Sequence, residues 1–143
     1  MAREKIATLL IEDEQLSADA LTIILEGEFH YDYQTTHVHT LQEAQASLKL
    51  NGFDLIILDL VLPNGEGVEL VTKIRSLAPH AALVVWTGLS GAELELEALY
   101  AQADLFMTKG NYSNKALQSA VRQAVYRVRR LNDAVSEAIG PQK

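Results

Sequence analysis

Residues 53–67, FDLIILDLVLPNGEG, contain the clearest indication of the fold. It begins with a short continuous apolar run that ends at Leu58, which is typical of a strand covered on both faces in a parallel sheet. Asp59 follows directly, where such a strand leaves the sheet. Pro63 prevents the strand from continuing in a central ladder, and the two glycines after it permit a turn before the next helix. Open α/β sheets bind ligands at the carboxyl ends of their strands, so Asp59 is the first candidate functional residue.

Outward from this stretch, apolar runs alternate with amphipathic segments along the rest of the chain. The runs predict five strands, at residues 6–11, 31–38, 53–58, 81–86 and 103–108. Apolar residues at helical spacing predict five helices, at about residues 16–25, 41–50, 68–77, 92–101 and 113–139. There is no internal repeat and no low-complexity linker. This order predicts an α/β fold, a parallel sheet with helices on both faces.

Composition limits the classes of protein that the chain can belong to. With 143 residues, 48% of them hydrophobic, the chain can form one well-buried core and is too short for two ordinary domains. The net charge of -7 argues against direct binding of nucleic acid or of an anionic membrane, because both attract positive charge. The absence of cysteine excludes disulfides and thiol chemistry. No apolar run approaches the roughly 18 residues of a membrane span, so we expect a soluble, cytoplasmic protein.

Polar residues follow four of the predicted strands, at the ends that meet on one edge of a parallel sheet. After the first, third, fourth and fifth strands these residues are Glu12 and Asp13, Asp59, Thr87, and Lys109. Three carboxylates in one pocket raise one another's pKa unless a cation lies among them, and oxygen ligands suit Mg2+. A hydroxyl and an ammonium supply the hydrogen bonds and the charge that phosphoryl oxygens need. Together these residues predict metal-dependent transfer of a phosphoryl group onto an aspartate.

From residue 6 to about residue 127, the sequence resembles the receiver domains of two-component response regulators. The matching positions are the acidic pair after the first strand, Asp59 with a proline four residues on and a glycine eight residues on, Thr87 followed by Gly88, and Lys109. The resemblance implies a flavodoxin-like, doubly wound fold with a five-stranded parallel sheet in the order 2-1-3-4-5. It implies a receiver domain over residues 1–127. Residues 128–143 would then extend the last helix as a coiled-coil or linker segment.

The resemblance also implies a metal site. Glu12, Asp13 and Asp59, together with the backbone carbonyl of Val61, are expected to hold Mg2+, or Mn2+ in its place. Glu12 departs from the family's more usual aspartate, and we expect its longer side chain to reach the metal through water.

Further roles implied by the resemblance concern the phosphoryl group and the response to it. Thr87 and Lys109 are expected to contact the phosphoryl group, and the Gly88 amide to donate a hydrogen bond to it. Phe106 occupies the family's aromatic switch position and is expected to move inward with Thr87 when Asp59 is phosphorylated. That movement would remodel the face formed by the fourth helix, the fifth strand and the fifth helix.

The function that the resemblance implies is that of a phosphoacceptor. The chain would receive a phosphoryl group from a histidine kinase or a phosphotransfer protein and would signal to a downstream protein or a fused output domain. It would not be an enzyme in the usual sense, because it would catalyse only its own phosphorylation and dephosphorylation.

Three further positions shape these expectations. Gly110 follows Lys109 where the family commonly has proline, which predicts a more mobile loop. Val61 and Leu89 stand two residues after Asp59 and Thr87, where family members often carry polar groups near the attacking water. We expect these apolar residues to slow loss of the phosphoryl group.

The C-terminal helix carries a heptad pattern that continues beyond the reach of the sheet. Its apolar residues recur at steps of four and three: Leu117, Val121, Ala124, Val128, Leu131, Val135 and Ala138. This spacing predicts either a homodimer helix or a frayed amphipathic tail. We expect the nearby arginines, Arg122, Arg127, Arg129 and Arg130, to form the solvated face of that helix.

Two alternative functions compete with the phosphoacceptor reading. A pseudo-receiver would bind or dimerise without being phosphorylated, which Glu12 and Gly110 permit. A phosphatase of the haloacid-dehalogenase type also uses a strand-end aspartate, but it needs a second acid at the position that Val61 occupies.

His37 and His39 are expected to be surface residues, and Trp86 a core residue beside the pocket.

Overall fold

Alternating strands and helices make up the chain in a computed structural model that describes residues 2–139. The strands are β1 (Glu4–Ile11), β2 (Tyr31–Val38), β3 (Leu55–Leu58), β4 (Val61–Leu62), β5 (Gly65–Glu66), β6 (Ala82–Thr87) and β7 (Leu105–Thr108). The helices are α1 (Gln15–Glu26), α2 (Leu41–Leu50), α3 (Glu69–Leu77), α4 (Ala92–Tyr100) and α5 (Asn114–Ile139). Each predicted strand and helix is present, with ends shifted by one or two residues.

The main sheet has five parallel strands in the order β2-β1-β3-β6-β7. Without the two short strands β4 and β5, this is the predicted order 2-1-3-4-5, and the flavodoxin-like fold is confirmed. The short strands pair antiparallel as a small hairpin after β3, which the sequence analysis treated only as a turn. Gly67 ends this hairpin with φ 88°, and its N–H donates to the Leu60 carbonyl at 2.8 Å.

The core lies in two apolar layers, one on each face of the sheet. Helices α2, α3 and α4 contribute to one layer, and helices α1 and α5 contribute to the other. Strand β3 supplies both layers, since Ile56 and Leu58 belong to the first, and Leu55 and Ile57 to the second. Because both faces are covered, an unbroken apolar run in this strand fits the fold.

Backbone hydrogen bonds continue beyond the strands and fix the first polar residues at the carboxyl edge. The Glu12 N–H donates to the Val38 carbonyl at 3.0 Å, and the Asp59 N–H donates to the Ile11 carbonyl at 3.0 Å. The Lys109 N–H donates to the Thr87 carbonyl at 2.8 Å. These hydrogen bonds fix the backbone at the carboxyl ends of β1, β3 and β7, which is how the topology assembles a site from distant parts of the sequence.

Helix α5 extends past the sheet to Ile139. The predicted role of residues 128–143 as a coiled-coil or linker segment stays a prediction, and residues 140–143 lie outside the described residues. Leu117, Val121 and Ala124 are buried against the sheet, whereas Leu131 is 64% exposed and Val135 57% exposed. Within the residues that the structure describes, no helix has the length and apolarity that crossing a membrane requires.

The expectation that all four arginines of α5 face solvent is wrong for two of them. Arg122 pairs with the buried Glu28 at 2.9 Å. Arg129 bonds to Glu4 and lies 3.3 Å from an Asp54 oxygen. These acids come from loops and strand ends that are distant in sequence, so helical periodicity alone gave no indication of them.

Candidate functional site

Asp59 lies at the centre of the carboxyl edge and is 5% exposed. Its Oδ1 atom accepts hydrogen bonds from the Thr87 hydroxyl at 2.8 Å and from the Val61 N–H at 3.1 Å. Its Oδ2 atom accepts from the Lys109 ammonium at 3.0 Å. Three donors of different types therefore point at one carboxylate, and two of them are side chains that the strand-end pattern selected.

Glu12 is fully buried beside Asp59 and shares the same ammonium. Its Oε1 atom accepts from the Lys109 ammonium at 2.5 Å, and its Oε2 atom accepts from the Glu14 N–H at 3.1 Å. Burial raises the pKa of the Glu12 carboxyl, and the negative charge of Asp59 raises it further, although the bonds to Lys109 and Glu14 act in the opposite direction. The negative charge on Glu12 is therefore incompletely compensated.

Lys109 is the cation of the site, and its side chain is 18% exposed. Burial on its own lowers the pKa of the ammonium, but the hydrogen bonds and charges of Glu12 and Asp59 outweigh this, and the pKa is raised. The ammonium also lies 3.4 Å from the Ser17 hydroxyl and 4.8 Å from the centre of the Trp86 ring. Trp86 is 8% exposed, so the expectation of a core tryptophan next to the pocket is confirmed.

The predicted metal ligands are only partly assembled. Glu12 and Asp59 converge on Lys109, whereas Asp13 is exposed. In residues 2–139 no three side chains of the types His, Cys, Asp and Glu are grouped to hold a metal ion. The donors available are carboxylate and carbonyl oxygens, which suit Mg2+ or Mn2+ chemically. The ligand set, including the Val61 carbonyl, stays a prediction, and the ammonium lies between the two buried carboxylates.

The switch residues lie toward the interior. Thr87 is fully buried, and besides donating to Asp59 it accepts from the Leu89 N–H at 3.3 Å. Phe106 is 7% exposed and packs in the layer formed with α2, α3 and α4. Gly88 is exposed beside Thr87, and Gly110 has φ 84°, a left-handed conformation that favours glycine. The roles of these residues toward a phosphoryl group stay predictions.

His37 contacts the site, which the sequence analysis did not anticipate. Its Nε2 atom lies 2.7 Å from the Glu12 carbonyl oxygen, and its ring centre lies 4.2 Å from that of His39. The register of β1 with β2 places Val38 beside Ile11 and brings His37 close to Glu12. Strand register is not visible in the sequence, so only the spacing of the two histidines was available as a signal. Ser17 lies in α1, and the packing of that helix beside Lys109 is equally invisible in the sequence.

Comparison with known proteins identifies the family. The family described as response regulator receiver domain matches residues 8–122. The cell cycle response regulator CtrA of Brucella ovis is 33% identical over 102 residues, which are 71% of this chain and 42% of CtrA. The chain thus spans less than half the length of the curated relatives that it matches.

Two solved structures illustrate the similarity. A CheY-like response regulator receiver domain protein from Methanospirillum hungatei has a TM-score of 0.75 at 24% identity, over 90% of this chain and 98% of that chain. A response regulator from Burkholderia pseudomallei, with a phosphorylated aspartic acid, a calcium ion and citrate, has a TM-score of 0.70 at 25% identity. That match covers 89% of this chain and 72% of the other. The chain belongs to the receiver domain family of two-component response regulators.

Proposed function

We propose that this receiver accepts a phosphoryl group on Asp59 from the phosphohistidine of a histidine kinase or a phosphotransfer protein. The observation that carries the proposal is the set of donors around Asp59: the Thr87 hydroxyl, the Val61 N–H and the Lys109 ammonium. The Burkholderia relative that carries a phosphorylated aspartic acid supports the same chemistry.

In the proposed reaction, a carboxylate oxygen of Asp59 attacks phosphorus while the phosphorus–nitrogen bond of the phosphohistidine breaks. The histidine nitrogen keeps the bonding electrons, and the phosphoryl group becomes an acyl phosphate on Asp59. Thr87 and Lys109 already donate to Asp59, so each needs only a short movement to donate to the phosphoryl oxygens. The backbone bonds of Asp59 and Lys109 to neighbouring strands hold the nucleophile and the ammonium in register.

Mg2+, held by Glu12, Asp13, Asp59 and the Val61 carbonyl, would supply positive charge to these carboxylates and to the phosphoryl oxygens. The carboxylates would otherwise repel the incoming phosphoryl oxygens. Asp13 directly follows Glu12 and is exposed.

The intact mass of the protein tests this proposal after incubation with acetyl phosphate and Mg2+. We expect one added phosphoryl group in the wild type, and none in Asp59→Asn or in a chelated sample. Asp54→Asn is a matched control, because Asp54 lies at the opposite end of β3 and bonds to the Ala7 N–H. Addition to Asp59→Asn would contradict the assignment of the acceptor.

The pseudo-receiver is the second candidate, and the closed pocket favours it. Lys109 lies between Glu12 and Asp59 and offers its positive charge to both carboxylates. If neither acetyl phosphate nor a beryllofluoride titration changed the mass or the Trp86 fluorescence, binding without phosphorylation would be the better account.

We also propose that the chain is a signalling protein that does not turn over free phosphate esters. The exposed apolar Val61 occupies the position of the second acid that a haloacid-dehalogenase phosphatase needs. Steady turnover of p-nitrophenyl phosphate that Asp59→Asn abolishes would contradict this.

For the output, we propose that phosphorylation stabilises inward positions of Thr87 and Phe106 and so changes the face formed by α4, β7 and α5. That face would contact a downstream protein or a fused output domain. Both side chains are buried in the structure, Thr87 fully and Phe106 with 7% exposed, so the proposal concerns the stability of these positions.

We further propose that a second copy of the chain pairs with the exposed end of α5. The exposed apolar residues of this end include Leu131 and Val135, and leucine followed four residues later by valine at the next heptad core position favours a parallel pair of helices. Sedimentation of Leu131→Asp should show less dimer than the wild type. Ile23→Asp, on the exposed face of α1, is the matched control and should leave the dimer unchanged.

A further inference from the structure

Lys109 occupies the place between two buried carboxylates where a metal would compensate their charge. Its ammonium lies 2.5 Å from Glu12 Oε1 and 3.0 Å from Asp59 Oδ2. The side chains of the two acids are 1% and 6% exposed, so water contributes little to screening them. One positive charge therefore serves two negative charges, and no second cation approaches them within residues 2–139.

The contact with Lys109 depends on the length of the Glu12 side chain. The Glu12 backbone is fixed by its bond to the Val38 carbonyl, and the second carboxylate oxygen is fixed by the Glu14 N–H. An aspartate at this position would be one methylene shorter, about 1.5 Å. Its oxygens would then fall short of a hydrogen bond to an ammonium that remained on Asp59.

We propose that Lys109 is an internal cation that competes with Mg2+ for these carboxylates, and that the length of Glu12 sets the strength of the competition. The inference rests on the metal site of the proposed function. Divalent cations can bind Glu12 only when the ammonium has left it, so the free energy of the Glu12–Lys109 contact is subtracted from the affinity for metal. The receiver therefore needs more Mg2+ than one with a shorter acid at this position.

Trp86 gives a signal for the position of the ammonium that does not depend on phosphorylation. Lys109 lies over the indole ring at 4.8 Å, within the range of a cation–π contact. Movement of the ammonium away from Glu12 changes the electrostatic field at the ring. Trp86 is the only tryptophan, so a change in emission during a metal titration has one source.

The test is a Mg2+ titration without any phosphodonor, followed by Trp86 fluorescence and by calorimetry. We expect Glu12→Asp to bind Mg2+ about tenfold more tightly than the wild type, since a charge-assisted hydrogen bond no longer has to be broken. Glu14→Asp is the matched control. The Glu14 side chain is 72% exposed and lies 3.8 Å from the ammonium, so shortening it should change the affinity by less than about twofold.

A double-mutant cycle separates competition from a simple change of ligand. Lys109→Met should bind Mg2+ more tightly than the wild type, because the internal cation is gone. In that background Glu12→Asp should add no further affinity, whereas an equal gain in both backgrounds would overturn the proposal. If Glu12→Asp failed to fold, Lys109→Met alone would decide: unchanged or weaker Mg2+ binding would overturn the proposal.

The inference and the proposed function can fail separately. An affinity that does not change in Glu12→Asp, in a protein that acetyl phosphate still labels on Asp59, would overturn only the competition. A tenfold gain in a protein that is never labelled would support the competition and contradict phosphorylation.

Discussion

Glu12 and Glu28 are both buried glutamates that contact a cation, yet their pKa values move in opposite directions. Glu12 is fully buried at the carboxyl edge of the sheet, and its pKa is raised. Glu28 is 2% exposed in the turn between α1 and β2, and its pKa is lowered. Burial raises the pKa of both carboxyls, and their hydrogen-bonding partners differ.

The partners of Glu28 satisfy it completely. Its carboxylate accepts from the N–H groups of His30 at 3.0 Å and Tyr31 at 2.8 Å, and from Arg122 at 2.9 Å. The His30 ring lies 2.8 Å away. Burial alone would raise the pKa of Glu28, but these bonds to the ionised form outweigh it. Glu12 has one N–H and one ammonium, and it shares the ammonium with Asp59.

The comparison distinguishes a structural buried charge from one that is available for function. The charge of the Glu28 carboxylate is already compensated by its partners, so a further ligand would gain no binding free energy from it. The Glu12 and Asp59 pair shares one ammonium and so carries excess negative charge at the carboxyl edge of the sheet. Incomplete compensation, rather than burial itself, is the feature that points to chemistry.

Removing Glu28, whose carboxylate is fully hydrogen-bonded, should have the largest effect on stability. Glu28→Ala leaves the His30 and Tyr31 N–H groups and the Arg122 guanidinium without their acceptor. We expect the free energy of unfolding to fall by about 3 kcal/mol, within the range for breaking a buried pair. Urea unfolding measures this, with the exposed Glu93→Ala as control. A loss below about 1 kcal/mol would mean that Glu28 is not a structural anchor.

Removing Lys109, the cation that Glu12 and Asp59 share, should lower the stability by a smaller amount, and Mg2+ should reverse part of the loss. Lys109→Met leaves Glu12 and Asp59 side by side without a counter-charge, and we expect a loss of about 2 kcal/mol in the presence of a chelator. Mg2+ should restore part of that stability by binding the folded state. Glu28→Ala should show no such recovery. Equal recovery in both variants would remove the distinction between the two glutamates.

Most of the polar residues at the carboxyl edge of the sheet could be predicted from the sequence, for a physical reason. Parallel strands all end on one side of the sheet, so a list of strand-end residues is already a list of neighbours. Asp59, Thr87 and Lys109 were found in this way, and the structure brings them within hydrogen-bond distance of one another. The order of the strands in the sheet came from the family resemblance and not from this pattern.

The Glu28 cluster was not accessible from sequence. Arg122 lies 94 residues from Glu28, and nothing in the helical period of α5 distinguishes it from the exposed Arg127. The partner is chosen by the packing of α5 on α1, which is a tertiary property. For the same reason the sequence suggested a metal among Glu12, Asp13 and Asp59, whereas the structure places an ammonium between two of them.

Replacing Glu12 by a neutral residue should not lower the stability of the fold. In the presence of a chelator at neutral pH, Glu12→Gln removes one of two carboxylates that share one ammonium, and the amide can still donate and accept hydrogen bonds. We expect the free energy of unfolding to stay level or rise, by up to about 1 kcal/mol. Glu28→Gln should be destabilising under the same conditions. A loss in Glu12→Gln as large as that in Glu28→Gln would show that both acids are structural.

The smallest expected effect is the pH dependence of the Glu28 contribution. Because the folded pKa lies below the ordinary value of 4.5, the ionised carboxylate stabilises the fold at every pH above 4.5. That contribution is lost as the pH falls below 4.5 and through the folded pKa, where the folded state also takes up the proton. The stability difference between the wild type and Glu28→Gln should therefore stay constant from neutral pH down to about 5, and narrow at lower pH. Urea unfolding of both proteins across that range measures the narrowing. A difference that widened on acidification would mean that the folded pKa is raised and that Glu28 resembles Glu12 after all.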